Sequence, residues 1–134
     1  MIEMWKISVK TEKHSEIVDI TSKVKQIVEA SGIKSGLCTV YVPHTTAAIV
    51  VNEDTDPSVK EDILQTLDRL VPWDDVYSHI EGNGAAHIKA AITGSSRTFI
   101  VENMEIMLGT WQGIFFCEFD GPRERIVYVE IIER

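Results

Sequence analysis

An α+β fold is predicted by three features of the sequence. Short apolar or alternating runs bounded by turn residues occupy both ends of the chain. Segments of helical periodicity lie between them. The helices do not alternate regularly with the strands, which sets aside a doubly wound parallel sheet. The predicted order is β-β-α-β-β-α-α-β-β-β-β in a single domain over residues 1–134, with a largely antiparallel, β-sandwich-like core and helices packed on it.

Glu3 to Val9 alternates apolar and polar residues as a half-buried strand does, and Glu16 to Ile20 supplies a second strand. "TSKVKQIVEASG" carries Val24, Ile27 and Val28 at helical spacing, with Thr21 or Ser22 as N-cap and Gly32 where a left-handed C-terminal cap belongs. The β-rich runs "GLCTVYVP" and "TAAIVVNE" are joined by "PHTT", so His44 falls in a turn between strands. "DTDPSVKEDILQTLDRLVP" is the clearest helix: Asp56 is the N-cap, Pro57 the first helical residue, Val59, Ile63, Leu67 and Leu70 one face, and Pro72 the stop. A shorter helix starts near Asn83 or Gly84 and runs through "AAHIKAAI" to Gly94, its alanines suited to close packing on a sheet. The remainder reads as four strands in an antiparallel meander: "SRTFIVE", "EIMLGT", "QGIFFCEFD" and "RIVYVEIIE".

A chain of 134 residues supports one core. Its 44% hydrophobic and 25% charged content is that of a soluble globular protein, with no linker-like segment. The net charge of −8, from 21 acidic and 13 basic residues, repels phosphate backbones, so no nucleic-acid partner is expected. No apolar run approaches the roughly 20 residues that span a bilayer, and the N-terminus lacks the apolar region of a signal peptide. No membrane association and a cytoplasmic location are therefore expected. Cys38 and Cys117 lie in apolar runs without CxxC spacing, which reads as buried, reduced thiols.

Four clusters hold polar residues that a fold does not itself require. "PHTTAAIVVNE" places His44, Thr45 and Thr46 in a turn, with Asn52 and Glu53 at the far end of the next strand; the threonines also suit plain turn capping. In "YSHIEGNGAAHIKA", Gly82, Asn83 and Gly84 lead into a helix N-terminus, where free amides and the helix dipole favour an anion. His79 and His87 bracket that turn, and with His44 they form a candidate ligand set for Zn2+ or another divalent metal, Glu81 or Glu118 nearby. A capping turn alone also explains "GNGAA". "LGTWQG" sets Gly109, Thr110, Trp111 and Gln112 in an apolar stretch, its ordinary reading being a bulge at Gly109 with Trp111 in the core. In "CEFDGPRER", Glu118 and Asp120 share strand parity with Gln112, and Arg123 and Arg125 suit either a hairpin ion pair or a bidentate phosphate contact.

Taken together, "HTTAAI.VNE", "DP.V..D", "YSHIEGN.AAHIKA" and "LGTWQGIFFCEFDGPR" resemble the YjbQ-like family, small proteins often described as secondary thiamine-phosphate synthases; the likeness runs from about residue 2 to residue 133. The resemblance implies a compact α+β domain assembling as a homotrimer, with a pocket near subunit boundaries that takes a small phosphorylated substrate. It implies catalytic roles for His44, His79, His87 and Glu118, metal ligation by the same three histidines, and substrate binding by Thr45, Thr46, Asn52, Asn83, Thr110, Gln112, Asp120 and Arg123. The implied reaction couples a hydroxymethylpyrimidine diphosphate to a thiazole phosphate with release of pyrophosphate. Charge neutralisation on the leaving group falls to Arg123, the helix-start amides near Asn83 and a divalent metal, with a histidine as general acid. The competing class is a trimer that binds a metal or anion without turnover, its Lys89 serving only solvation. An apolar "GIFF" surface and the sheet edges left by a meander also call for covering by other subunits.

Overall fold

The computed structural model describes residues 1–134. In chain order the elements are β1 (Ile2–Lys10), β2 (Glu16–Asp19), α1 (Thr21–Ser31), β3 (Gly36–Tyr41), β4 (Ala47–Glu53), α2 (Pro57–Leu70), α3 (Gly84–Thr93), β5 (Ser96–Glu102), β6 (Glu105–Ile106), β7 (Gln112–Glu118) and β8 (Glu124–Glu133). The predicted class and element order hold. Gly32 takes φ +70° as the left-handed cap of α1. Asp56 caps α2 by accepting from the Ser58 amide at 2.9 Å, with Pro57 following it.

The strands form two antiparallel sheets, of order β1-β8-β3-β5-β6 and β2-β7-β4, facing each other across the core. This corrects the expected C-terminal meander. β5 and β6 form a hairpin, but β7 lies between β2 and β4, and β8 returns to lie between β1 and β3. Crossing from one sheet to the other takes the chain out of the ladder after Ile106, so β6 has only two residues of the predicted "EIMLGT". A turn from Gly109 to Gln112 follows, closed by the Gln112 amide on the Gly109 carbonyl (3.1 Å) and the Gly109 amide on the Gln112 side chain (2.8 Å). Trp111, which the bulge reading placed in the core, is exposed.

α2 and α3 cover the outer face of the smaller sheet. Ala86 and Ala90 of α3 pack on Ala48, Cys117 and Phe119, with Leu64, Leu67 and Trp73 half-buried around them. β7 is therefore buried on both faces, which explains its unbroken apolar run. Ile114, Phe115 and Phe116 are fully buried within the chain, so "GIFF" is core and not surface. Each such side chain contributes about 1.5–3 kcal/mol through burial. The exposed apolar surface lies instead on the outer face of the larger sheet, where Ile2, Ile132, Leu37 and Ile100 stand in one register row across β1, β8, β3 and β5.

Two capping details differ from expectation. Thr21 is the first residue of α1, and Ile20 is its N-cap with no side-chain bond. The Thr21 hydroxyl accepts from the Ile114 amide at 2.8 Å, and its own N–H donates to Asp19 at 2.9 Å, so it ties α1 to β7. On α2 the packed face includes Leu64, while Leu70 projects into solvent.

Candidate functional site

Glu118 ends β7 wholly buried. Arg125 Nε donates to its Oε1 at 2.9 Å, and the same guanidinium reaches Oε2. The Thr11 hydroxyl adds a 2.7 Å bond to Oε1, and the Asp120 amide one of 3.0 Å to Oε2. Arg125 also donates to the Thr46 hydroxyl at 2.8 Å. Burial pushes the Glu118 carboxyl up, but the bonds from Arg125, Thr11 and the Asp120 amide, with the Arg125 charge, outweigh it and hold the group below the ordinary glutamate range. A carboxylate so saturated has no face for a substrate. Glu118 and Thr46 thus belong to one buried ion-pair centre, while Thr45 beside them is exposed.

His44 is held in a similar way. Its Nε2 lies 3.0 Å from the Ile126 amide, which donates to it, just beyond the point where β3 stops pairing with β8. The ring extends that ladder by one bond. Burial, then the neighbouring Arg125 charge, lower its basicity against the opposing pull of the Ile126 carbonyl and Glu118. His44 is therefore tied to the backbone of β8 through Nε2.

The remaining polar residues gather where α3 begins. His79 and His87 come together with ring centroids 4.7 Å apart. Asn83, the N-cap of α3, donates from Nδ2 to Asp120 Oδ2 at 2.9 Å, while its Oδ1 is buried without a partner. Arg123 holds the same Asp120 through Nε to the carbonyl (2.8 Å) and Nη2 to Oδ2 (3.1 Å), yet its side chain remains 52% exposed. Burial raises the Asp120 carboxyl, and the bonds from Asn83 and Arg123, with the charges of Arg123 and His14, more than reverse the effect, leaving it lowered.

His14, which sequence reasoning passed over, sits 3.8 Å from Asp120 and edge-on to Trp73 at 4.4 Å between centroids. Its segment is bound to the turn after β7: the Gly121 amide donates to the His14 carbonyl (2.9 Å), and the Thr11 amide to the Arg123 carbonyl (2.9 Å). Two adjoining clefts share Trp73 and Asp74 as walls. One, of about 570 Å³, also has His14, Asp68 and Lys89; the other, of about 550 Å³, has Tyr77, His79, Gly82 and Gly84. Both suit a small ligand.

Three expectations change. Gly84 is required because the Tyr77 side chain packs against it, where an added Cβ would meet Tyr77 Cβ and Cγ at 2.8 Å, so packing within the chain explains that glycine without a ligand. Asn52, Thr110 and Gln112 stand apart from Asn83 and Arg123. Register pairs Glu53 with Gln112 at one end of β7 and Ala47 with Glu118 at the other, a separation of roughly 20 Å at about 3.4 Å per residue. Lys89, expected to be solvated, is buried on α3.

In metal terms the fit is incomplete within one chain. His79 and His87 supply two imidazoles, but no group of three or more His, Cys, Asp or Glu side chains is placed to hold an ion. Thiol chemistry is also disfavoured, since burial pushes both Cys38 and Cys117 up to about 12.

The family model for UPF0047 YjbQ-like proteins matches residues 5–134. A UPF0047 protein of Methanocaldococcus jannaschii is 50% identical, covering 96% of this chain and 94% of the relative. The UPF0047 protein YugU of Bacillus subtilis is 48% identical, covering 94% and 96%. Among crystal structures, an uncharacterised conserved protein of the YjbQ/UPF0047 family from Clostridium acetobutylicum superposes with TM-score 0.94 at 51% identity, covering 96% of this chain and 99% of that one. A YbjQ-like protein of unknown function from Sulfolobus solfataricus gives 0.97 at 42% identity, covering 100% and 99%.

Proposed function

This chain belongs to the UPF0047 family of YjbQ-like proteins, and from that premise we propose that it is a small-molecule phosphate-handling enzyme. The reaction we favour is that of a thiamine-phosphate synthase, in which a thiazole nitrogen attacks the methylene of a hydroxymethylpyrimidine diphosphate and the C–O bond breaks to release pyrophosphate. The observation that carries this reading is the contrast between two arginines seven positions or less from Glu118. Arg125 is buried and spent on Glu118, whereas Arg123 is oriented by Asp120 beside Asn83 and keeps its planar fork half exposed. An oriented, accessible guanidinium suits a diphosphate leaving group. The adjacent His79 and His87 supply a proton donor as the pyrophosphate departs. Incubation with the two thiamine precursors, followed by a pyrophosphate assay, tests the reading: release dependent on Arg123 supports it, and none at high enzyme concentration removes it.

Binding without turnover is the second reading. It is favoured by one observation: two of the expected catalytic groups, His44 and Glu118, are engaged in intrachain bonds.

A divalent metal, zinc being suited to imidazole ligands, remains part of the proposal through His79 and His87 alone, and no catalytic step is routed through it. Zinc titration by calorimetry should lose its heat in His87→Ala and keep it in His44→Ala. Equal loss in both variants would restore the three-histidine set.

We also propose a homotrimer. The apolar row Ile2, Ile132, Leu37 and Ile100 supports assembly through the outer sheet face, and the placing of Gln112 and Glu118 at opposite ends of β7 supports a pocket shared between subunits. Light scattering should give three times the 15.1 kDa of one chain, and Ile132→Asp should shift it to a folded monomer. A wild-type monomer at micromolar concentration would refute the assembly. No helix is long and apolar enough to cross a membrane. The cytoplasm is the proposed location, supported by two free, buried cysteines.

A further inference from the structure

We propose that the cleft floored by Lys89 is a phosphate subsite in which Asp68 is an exchangeable counter-ion; the inference rests on the phosphate-handling reading and adds a second cation to it.

Lys89 follows Ala85 by four residues and Ala86 by three, so it shares their inward face of α3. Its side chain is 3% exposed, yet it lines the open cleft of about 570 Å³ beside His14 and Trp73. Lysine is rarely buried without pairing, because its ammonium loses strong hydration. Here one protein acceptor meets its three N–H donors, the carboxylate of Asp68.

The pair is asymmetric. The Asp68 side chain is 59% exposed on α2, a helix with no fully buried residue. That carboxylate is already largely hydrated and can turn into water once another anion pairs the ammonium, which stays beneath the cleft. A plain tie between two surface helices would leave both ends in solvent, where it would be worth little. A fixed, desolvated cation whose only partner can withdraw is instead the arrangement that an incoming anion exploits, since the phosphate takes the place of a carboxylate already there. The remaining walls are the Trp73 and His14 rings with Pro72 and Ser15, and Asp74 is exposed at the rim. The ligand that fits is the phosphate ester of a small planar ring.

This assignment predicts opposite signs for the two members of one ion pair. In calorimetric titration with inorganic phosphate and with pyrophosphate, Lys89→Met should weaken binding about tenfold or more, the cost of a charge-assisted bond. Asp68→Asn should tighten it by about twofold to fivefold, because a partly exposed competitor is gone. Asp68 lies on an exposed surface, so its variant tests the proposal even where Lys89→Met fails to fold. Unchanged or weaker binding in Asp68→Asn overturns the subsite. If Arg123→Ala weakens pyrophosphate binding while the Lys89 and Asp68 variants do not change it, the subsite fails and the Arg123 reading stands. If the opposite-signed pair appears but the thiamine precursors yield no pyrophosphate, the subsite stands and the synthase reading fails. Absence of binding to the wild type overturns both.

Discussion

Glu118→Gln should destabilise the fold by about 3–5 kcal/mol in urea unfolding at neutral pH, the cost of breaking a buried ion pair and leaving one charge unpaired. The amide keeps the volume of the carboxylate, so the loss reports electrostatics and not a cavity. Arg125, a buried residue of β8, would retain the Thr46 contacts and one neutral acceptor, the amide oxygen of the substituted side chain. The double variant Glu118→Gln/Arg125→Met removes the stranded cation and should recover part of the loss, while a sum of the two single effects would show that the groups act independently. The pH dependence follows from the lowered carboxyl. Its contribution is complete above the unfolded glutamate value of about 4.3 and drains away as pH falls through the lower folded value, so acid unfolding of the wild type should steepen below that point. In Glu118→Gln that segment of the pH–stability curve should flatten.

Gly121→Ala is the second large effect expected, a destabilisation of about 3 kcal/mol, at the upper end of overpacking costs. A methyl group at this position would press into the carbonyl of Lys13 and lie 2.9 Å from Cγ of Glu118. Backbone cannot rotate away as a side chain can. Relief requires the segment carrying Lys13 and His14 to shift, which breaks the Gly121–His14 bond and moves His14 away from Asp120. Thermal unfolding should show the loss, and pyrophosphate affinity should fall in the same variant. Full stability with wild-type affinity would mean that the segment is not held as described.

Local signals in the sequence carried most of the elements, because each rests on neighbours within one turn of chain. Asp56 and Pro57 started α2 as expected, and Gly32 ended α1. Strand pairing was not legible in the same way. The run Ile114–Phe116 is as apolar as an outer strand packed by another subunit, and only the position of β7 under α3 shows that both its faces are internal. Among the site residues, His79 and His87 could be paired from their bracketing of a turn. His44 had the same claim as a turn histidine, but the ladder gap at Ile126 that occupies it depends on where β3 ends. Lys89 was legible and missed: its spacing from Ala85 and Ala86 puts it on the packed face of α3. His14 had no comparable signal, since its partners Asp120 and Trp73 are distant in sequence.

The central claim is that Arg123, and not Arg125, presents an oriented guanidinium to a phosphorylated ligand beside Asn83. Titrating pyrophosphate into the wild type and Arg123→Ala by calorimetry tests it most directly. Loss of a hydrogen-bonded charge should weaken binding by about 1.5–3 kcal/mol, roughly tenfold to a hundredfold, with Arg123→Lys restoring only part of it because the planar fork is absent. Equal affinities in wild type and Arg123→Ala would contradict the claim and leave Arg123 as a surface partner of Asp120.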